Sequence, residues 1–444
     1  MARRGEGRIG AGLAGVIVAG NIIGSAVYAL PATMGAVGSI SIIAWGVATV
    51  GAFAVALVIS LLAAGTADPE GLVGYVGAGL GRFCGFAVAL MYWTGNFVAN
   101  LSVAIAIAAY ASVFAPALEQ PLWRSVAGVA ALWAIAALTL VGPRSVGRFG
   151  IVSMVAGLAP VLLIATLGWI SFDPHLFAAS WNVTGGSGFD AVRASVVAAF
   201  WAFTGLETGA VISAVVRNPG RDVPIATLSA VALAALVYLS LAAVVMGLAP
   251  AHSYALSSAP LALAARRVGG PLLAGAVAIC ALIKASGTLA GLTLSTAEAA
   301  RAGADAHLFP GRLPPSPQGD APRRIIIGSA LAGSVITALS TSPTFGRQYE
   351  ALIDVATVWT LIPYVACALA VFRLTRDLAP GPRRLAWALA VVAAGVSAWV
   401  AANGTPASFW LTIALGVLTV LLWIAFVRRG PGARPQAPRS GPAT

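Results

Sequence analysis

Apolar runs of membrane-spanning length follow one another along almost the whole chain, and few folds can accommodate that. A bilayer core needs about 20 apolar residues per helix. Twelve runs meet the requirement: 9–32, 37–64, 82–115, 122–142, 146–171, 192–215, 223–249, 270–301, 323–341, 349–373, 383–401 and 406–428. Of 444 residues, 59% are hydrophobic and 9% are charged. Soluble chains carry about 25% charged residues, so an all-α integral membrane protein is the class that fits. The first run has no small-residue cleavage pattern and reads as a span rather than a signal peptide.

The formal net charge of +12 could point to nucleic acid. The positions of the charges point elsewhere. With the N-terminus in the cytoplasm, 20 of the 26 basic residues fall in inner loops and tails, and four (Arg124, Arg266, Arg267 and Arg347) fall outside. Arg193 lies at the outer start of the sixth run and Lys284 inside the eighth. This bias puts both termini in the cytoplasm and makes the anionic leaflet, not nucleic acid, the partner of the basic residues. The tail over 431–444, rich in Pro, Gly and Arg, is expected to be disordered. Cys84, Cys280 and Cys367 lie in apolar runs at no metal spacing, and His175, His252 and His307 are scattered in predicted loops. No metal or cofactor is expected.

Two runs are interrupted where a helix crossing lipid should be strongest. "GNIIGS" (20–25) lies mid-span in the first run, and "FWAFTGLETGAV" (200–211) lies mid-span in the sixth. Glycine in a helix interior costs about 1 kcal/mol relative to alanine. Unwound backbone at membrane depth survives only where it lines a cavity or is buried in protein. Close helix approach through Gly20 and Gly24 would explain the first run alone. The sixth run lies five spans later, with opposite polarity, and adds Glu207. That is the pattern of an inverted repeat whose broken helices meet at the midplane, the signature of secondary transporters. Half-helix N-termini would offer N–H groups to a carboxylate, and half-helix C-termini would offer carbonyls to a cation.

Several stretches carry a family likeness: "GNIIGSAVYALP", "YWTGNFVANLSV", "WAFTGLETGAV", "VVRNPGRDVPIAT" (215–227) and "ADAHLFP". Over about residues 8–430 the chain resembles the amino acid–polyamine–organocation (APC) superfamily, and most of all its basic amino acid/polyamine exchangers of the arginine/agmatine type. The resemblance implies a single transporter domain over 1–430 with a LeuT-like fold of twelve transmembrane helices. Residues 1–171 and 192–373 would form a 5+5 inverted repeat with helices 1 and 6 broken, and 383–428 two further helices. It implies an amino acid transport protein, an antiporter or a proton-coupled permease, in the cytoplasmic membrane.

It also implies roles. The unwound stretch with Ala19, Gly20, Ile22, Gly24 and Ser25 would bind the α-amino and carboxylate groups of a substrate, with Gly205 facing it from the second break. Trp201 would cover the substrate, and Asn100, one turn after Asn96, would contact it from the third helix. Tyr92, Glu207 and Tyr364 would form the inner-facing gate, Glu207 being a candidate for pH response. Leu292 stands where the arginine exchangers have tryptophan and Ala356 where they have serine, which weakens the case for arginine. Trp359 follows on the segment where the family lines its pathway. The family includes dimers, and the sequence leaves monomer and homodimer open.

Lys284, in "CALIKASGTLAGLTLS", is the only lysine. At helical spacing its face continues through Gly287, Thr288, Gly291 and Ser295, a stripe suited to a cavity or to close helix approach. A charge at mid-membrane is costly and marks a functional site by default. A lysine can release its proton, whereas arginine stays charged. Three roles stand open: a proton carrier, a fixed charge for a substrate carboxylate, and a structural partner of a buried acid, Asp354 or Glu207. Asp354 is expected near the outer mouth.

Other classes fit less well. A channel needs a pore-lining ring or filter repeat. A membrane enzyme needs a dyad or metal cluster, and no histidine lies in a span. ATP-driven transport needs a phosphate-binding "GxxxxGK[ST]" stretch, which is absent from the sequence. The charge bias predicts that cysteines replacing Arg217 or Arg376 are modified by an impermeant maleimide only from the cytoplasmic side. Modification of either in intact cells would overturn the twelve-span topology.

Overall fold

The computed structural model describes residues 10–65, 71–211, 216–305 and 323–427. The tail over 431–444, His307 and most of "ADAHLFP" lie outside them. Every regular element among the described residues is a helix. In chain order they are α1 (Ala11–Ile22), α2 (Ala26–Gly35), α3 (Ser41–Gly65), α4 (Leu72–Leu80), α5 (Arg82–Ala111), α6 (Pro121–Val141) and α7 (Pro143–Leu167). The chain continues through α8 (Pro174–Ala179), α9 (Gly188–Trp201), α10 (Thr208–Val211), α11 (Pro219–Leu248), α12 (Ala251–Ala255) and α13 (Pro260–Asp305). It ends with α14 (Arg323–Leu339), α15 (Phe345–Leu374), α16 (Pro380–Ala402) and α17 (Pro406–Leu422).

Nine of these helices are long and apolar enough to cross a bilayer, ten when α1 and α2, bent by 42°, count as one broken span. The chain is a multi-pass membrane protein. The long helices begin where local chemistry allows it. Pro121, Pro143, Pro219, Pro380 and Pro406 each occupy the first turn, where a missing N–H costs nothing. α13 kinks at Gly269 and Gly270, the latter at φ +74°, and Pro271 restarts the helix. The eighth apolar run begins at that restart.

Burial sorts the helices into an inner and an outer set. α5, α11 and α15 are the most enclosed, while α17 turns Phe409, Trp410, Leu418 and Leu421 outward, as a lipid-facing helix would. α5 lies on α15, α13 on α7, α1 on α11 and α9 on α3. α3 meets α11, α5 meets α13 and α6 meets α14.

Glycines permit the closest approaches. A Cβ on Gly35 would fall 2.5 Å from the Ala251 carbonyl oxygen and 2.7 Å from the Ala255 nitrogen, so α2 and α12 meet backbone to backbone. Gly35→Ala is expected to cost about 1–3 kcal/mol by overpacking, read as a lower midpoint of thermal unfolding in detergent. An unchanged midpoint would contradict this contact.

Candidate functional site

α1 stops at Ile22 because its last turn closes on itself. The Ile23 N–H donates to the Ala19 carbonyl (2.8 Å) and the Gly24 N–H to the Ile22 carbonyl (2.7 Å). α2 starts after Ser25, whose hydroxyl makes no capping bond. In its first turn the Tyr28 N–H donates to the Ser25 carbonyl (3.1 Å), and the helix dipole adds partial positive charge at this end. The interruption therefore covers 23–25, the second half of "GNIIGS". Gly20 and Asn21 remain in the last turn of α1, where a Cβ on Gly20 would collide with the Met154 sulfur of α7. Ala19, Gly20, Ile22, Gly24 and Ser25 are all buried.

The second interruption, 202–207, lies against the first. Gly205 has φ +99°, and a Cβ there would fall 3.2 Å from the Asn21 carbonyl oxygen. Only glycine combines that backbone with that approach. The Asn21 side-chain amide donates to the Thr208 hydroxyl (2.9 Å), linking α1 to α10. The Tyr238 hydroxyl, from α11, lies 2.7 Å from the Ile22 carbonyl oxygen and 3.0 Å from that of Ala202, so one side chain reaches the C-terminal ends of both half-helices. Tyr238 and Thr208 are absent from the sequence reading. The only signal for Tyr238 was a polar aromatic group inside the apolar run "ALVYLSLA".

Glu207, 5% exposed, gathers three donors. The Tyr92 hydroxyl donates to its Oε1 (2.9 Å), and the Tyr364 hydroxyl and the Gly205 N–H (3.0 Å) donate to its Oε2. Tyr92, Glu207 and Tyr364 thus meet as one cluster joining α5, the second break and α15.

Lys284, also 5% exposed, reaches α1. Its ammonium donates to the Gly20 carbonyl oxygen (3.1 Å). The stem crosses α7 at Gly157, where a Cβ would fall 2.5 Å from the lysine Cγ. One turn on, Gly287 gives room to Ser153 of α7. Lys284 therefore sits among α1, α7 and α13, and Gly287 on its face seats Ser153 of α7. Neither acid named as a partner for it is one. Glu207 is held by the two tyrosines, and Asp354 Oδ2 accepts from the N–H (3.0 Å) and hydroxyl (2.7 Å) of Thr405, at the start of α17.

The remaining residues are more dispersed. The Trp201 indole N–H donates to the Tyr349 hydroxyl (3.3 Å), closing the end of α9 against α15. The Asn96 amide donates to the Tyr92 carbonyl of its own helix (2.9 Å). The Asn100 amide donates to the Asn96 carbonyl (2.9 Å) and the Thr296 hydroxyl (3.3 Å), and its oxygen accepts from the Thr293 hydroxyl (3.1 Å). Asn100 thus joins α5 to α13 and lines a small crevice with Phe97, Thr293, Thr296 and Ser329. Leu292 is partly buried against the core, and Ala356 is fully buried in α15, its carbonyl 3.4 Å from where a Cβ on Gly95 would fall. The Trp359 indole N–H donates to the Thr412 hydroxyl of α17 (2.9 Å), away from the breaks.

Comparison with known proteins places the chain in a family. Residues 14–438 match the amino acid permease family model. The chain is 34% identical over 254 residues to the cadaverine/lysine antiporter of Escherichia coli (strain K12), a match covering 57% of each chain. It is 28% identical over 376 residues to the putrescine transporter PotE of the same organism, covering 84% of this chain and 86% of that one. It is 28% identical over 362 residues to the putrescine transporter PotE of Haemophilus influenzae, covering 81% and 83%. The first match thus spans a little over half the length of its relative. With a family match running from α1 past α17, the chain belongs to the amino acid permease family of the APC superfamily.

Proposed function

We propose that the chain is a secondary active transporter that moves small amino-acid-like, carboxylate-bearing or amine solutes across the cytoplasmic membrane by alternating access. The observation that carries this is the meeting of two helix breaks, joined by the buried Tyr238 and, on the accessible side, by Asn21 and Thr208. Non-helical backbone at that depth makes sense where it holds a polar solute. The solutes for which the relatives are named, cadaverine, lysine and putrescine, belong to the same class.

The finer architecture follows from the same reading. α14, of 17 residues, and α9 with α10 complete twelve spans when added to the ten. The recurring contacts, α5 on α15 and α13 on α7, α1 on α11 and α9 on α3, are those of a 5+5 inverted repeat over 1–171 and 192–373. α16 and α17 lie outside the repeat, all within one domain over 1–430, with both termini cytoplasmic. The α2 N-terminus at Ser25 is the seat for a carboxylate, Trp201 the cover over it, and the Tyr92–Glu207–Tyr364 cluster the inner gate.

Lys284 bears on coupling. Its ammonium rests on a carbonyl in the last turn of α1, where the helix end is partially negative. Losing the proton would weaken that tether to α1, since a neutral amine still donates but without the charge. This favours proton linkage over a fixed charge for substrate, and the absence of an acid partner among the described residues argues against the structural pair. A strict arginine/polyamine exchanger is the second reading. Leu292 and Ala356, which stand in for its cation-holding side chains, weigh against it.

The test is counterflow into proteoliposomes without ATP, with a panel of cationic, neutral and anionic amino acids, amines and carboxylates. No uptake of any solute driven by internal solute or by a proton gradient would overturn the transporter reading. Trp201→Ala is expected to lower transport at least about tenfold, since a rigid aromatic face over the solute is lost, while the protein remains inserted. Transport near wild type would remove Trp201 from the site. Lys284→Ala is expected to abolish net transport yet still bind solute, its residual exchange losing pH dependence, and Lys284→Arg is expected not to restore it. Loss of binding by about two to three decades would instead favour the carboxylate-binding role, and wild-type transport would reject both.

A further inference from the structure

Tyr238 is buried to 1% exposure in a helix without a break of its own, yet its hydroxyl meets the breaks of two others. The Ile22 carbonyl already accepts the Gly24 N–H, whereas the Ala202 carbonyl, among the described residues, receives its hydrogen bond from Tyr238. The ring is held on two sides. Phe203 packs edge-on with centroids 5.3 Å apart, and Trp45 lies 5.2 Å away at a tilt. Phe203 adjoins Ala202 in the second interruption, and Trp45 belongs to α3, so the hydroxyl is aimed by rings from two other elements.

We infer that Tyr238 is a positioning residue that joins the C-terminal ends of α1 and α9 and thereby sets the width of the gap between the broken helices. The inference rests on the transporter reading for its consequence, but not for its geometry. A phenol carries one proton. With two carbonyls at 2.7 and 3.0 Å, that proton serves one of them fully or both in part. The link therefore holds the two ends together while leaving either end free to release at the cost of one shared hydrogen bond. A tyrosine that merely satisfied a buried carbonyl would need one acceptor. Here the two acceptors belong to the two segments whose relative position defines the site. Asn21–Thr208 is a second link across the same gap.

The test separates positioning from plain stability. Tyr238→Phe keeps the ring and removes one oxygen. In proteoliposomes, KM for radiolabelled putrescine or lysine is expected to rise about tenfold, with the maximal rate changed by less than about twofold. In a separate Ser25→Cys background, modification of position 25 by N-ethylmaleimide, followed by mass spectrometry, is expected to accelerate severalfold when Tyr238→Phe is added. Unchanged KM and unchanged modification overturn the inference, even if thermal stability falls. If the wild-type protein takes up neither solute, the transport reading is what suffers, and the modification rate alone decides the role of Tyr238. If Tyr238→Phe does not assemble, 3,5-difluorotyrosine at position 238 keeps the ring and hydroxyl while altering donor strength. A changed modification rate then supports the joint, and an unchanged rate overturns it.

Discussion

Backbone polar groups inside a bilayer must find partners within the protein, and the centre of this molecule is organised by that constraint. Two helices give up their ladder at 23–25 and 202–207. The carbonyls and N–H groups there are met by side chains: Lys284 on Gly20, Tyr238 on Ile22 and Ala202, and, within the second break itself, Glu207 on the Gly205 N–H. Lys284 and Tyr238 come from other helices, α13 and α11, while Glu207 belongs to the break it serves. The irregular backbone is therefore enclosed by regular helices, which is the condition for its survival at that depth.

Close approach supplies the second half of the design. Gly20 admits Met154, Gly157 admits the Lys284 stem, Gly205 lies on Asn21, and Gly287 admits Ser153. Without a hydrophobic drive between helices in lipid, contact area comes from small residues that let backbones near one another. The same glycines that bring α1, α7 and α13 together create the narrow channel through which a long lysine side chain reaches a carbonyl. Packing and charge placement are here one feature.

The Tyr92–Glu207–Tyr364 cluster and the more dispersed residues show how polar side chains of one helix are divided among its neighbours. Tyr92, Glu207 and Tyr364 lie far apart in sequence and converge on one carboxylate. Asn100 and Trp359 share helices with that cluster, yet their polar atoms are spent on Thr293 and Thr296 in one case and on Thr412 in the other. A helix presents several faces, and a residue one turn from a site can belong to the seam with a different neighbour. Asp354 is likewise occupied with Thr405, not with the lysine.

What the sequence determined by itself was the class of solution. Apolar runs dictate spanning helices, glycine with polar residues at mid-run dictates where two of them fail, and a lone lysine in a span announces a site. These are local properties, legible because hydropathy and helix propensity act over a few residues. Which groups repair the breaks was decided only by the tertiary structure. Tyr238 lies 216 positions from Ile22 and 36 from Ala202, and no periodicity links them. Lys284 lies 264 positions from the carbonyl it meets. Its choice of that carbonyl over either acid depends on how α1, α7 and α13 pack. Hydrogen bonds act over about 3 Å in space, and that distance exists only once the helices are assembled.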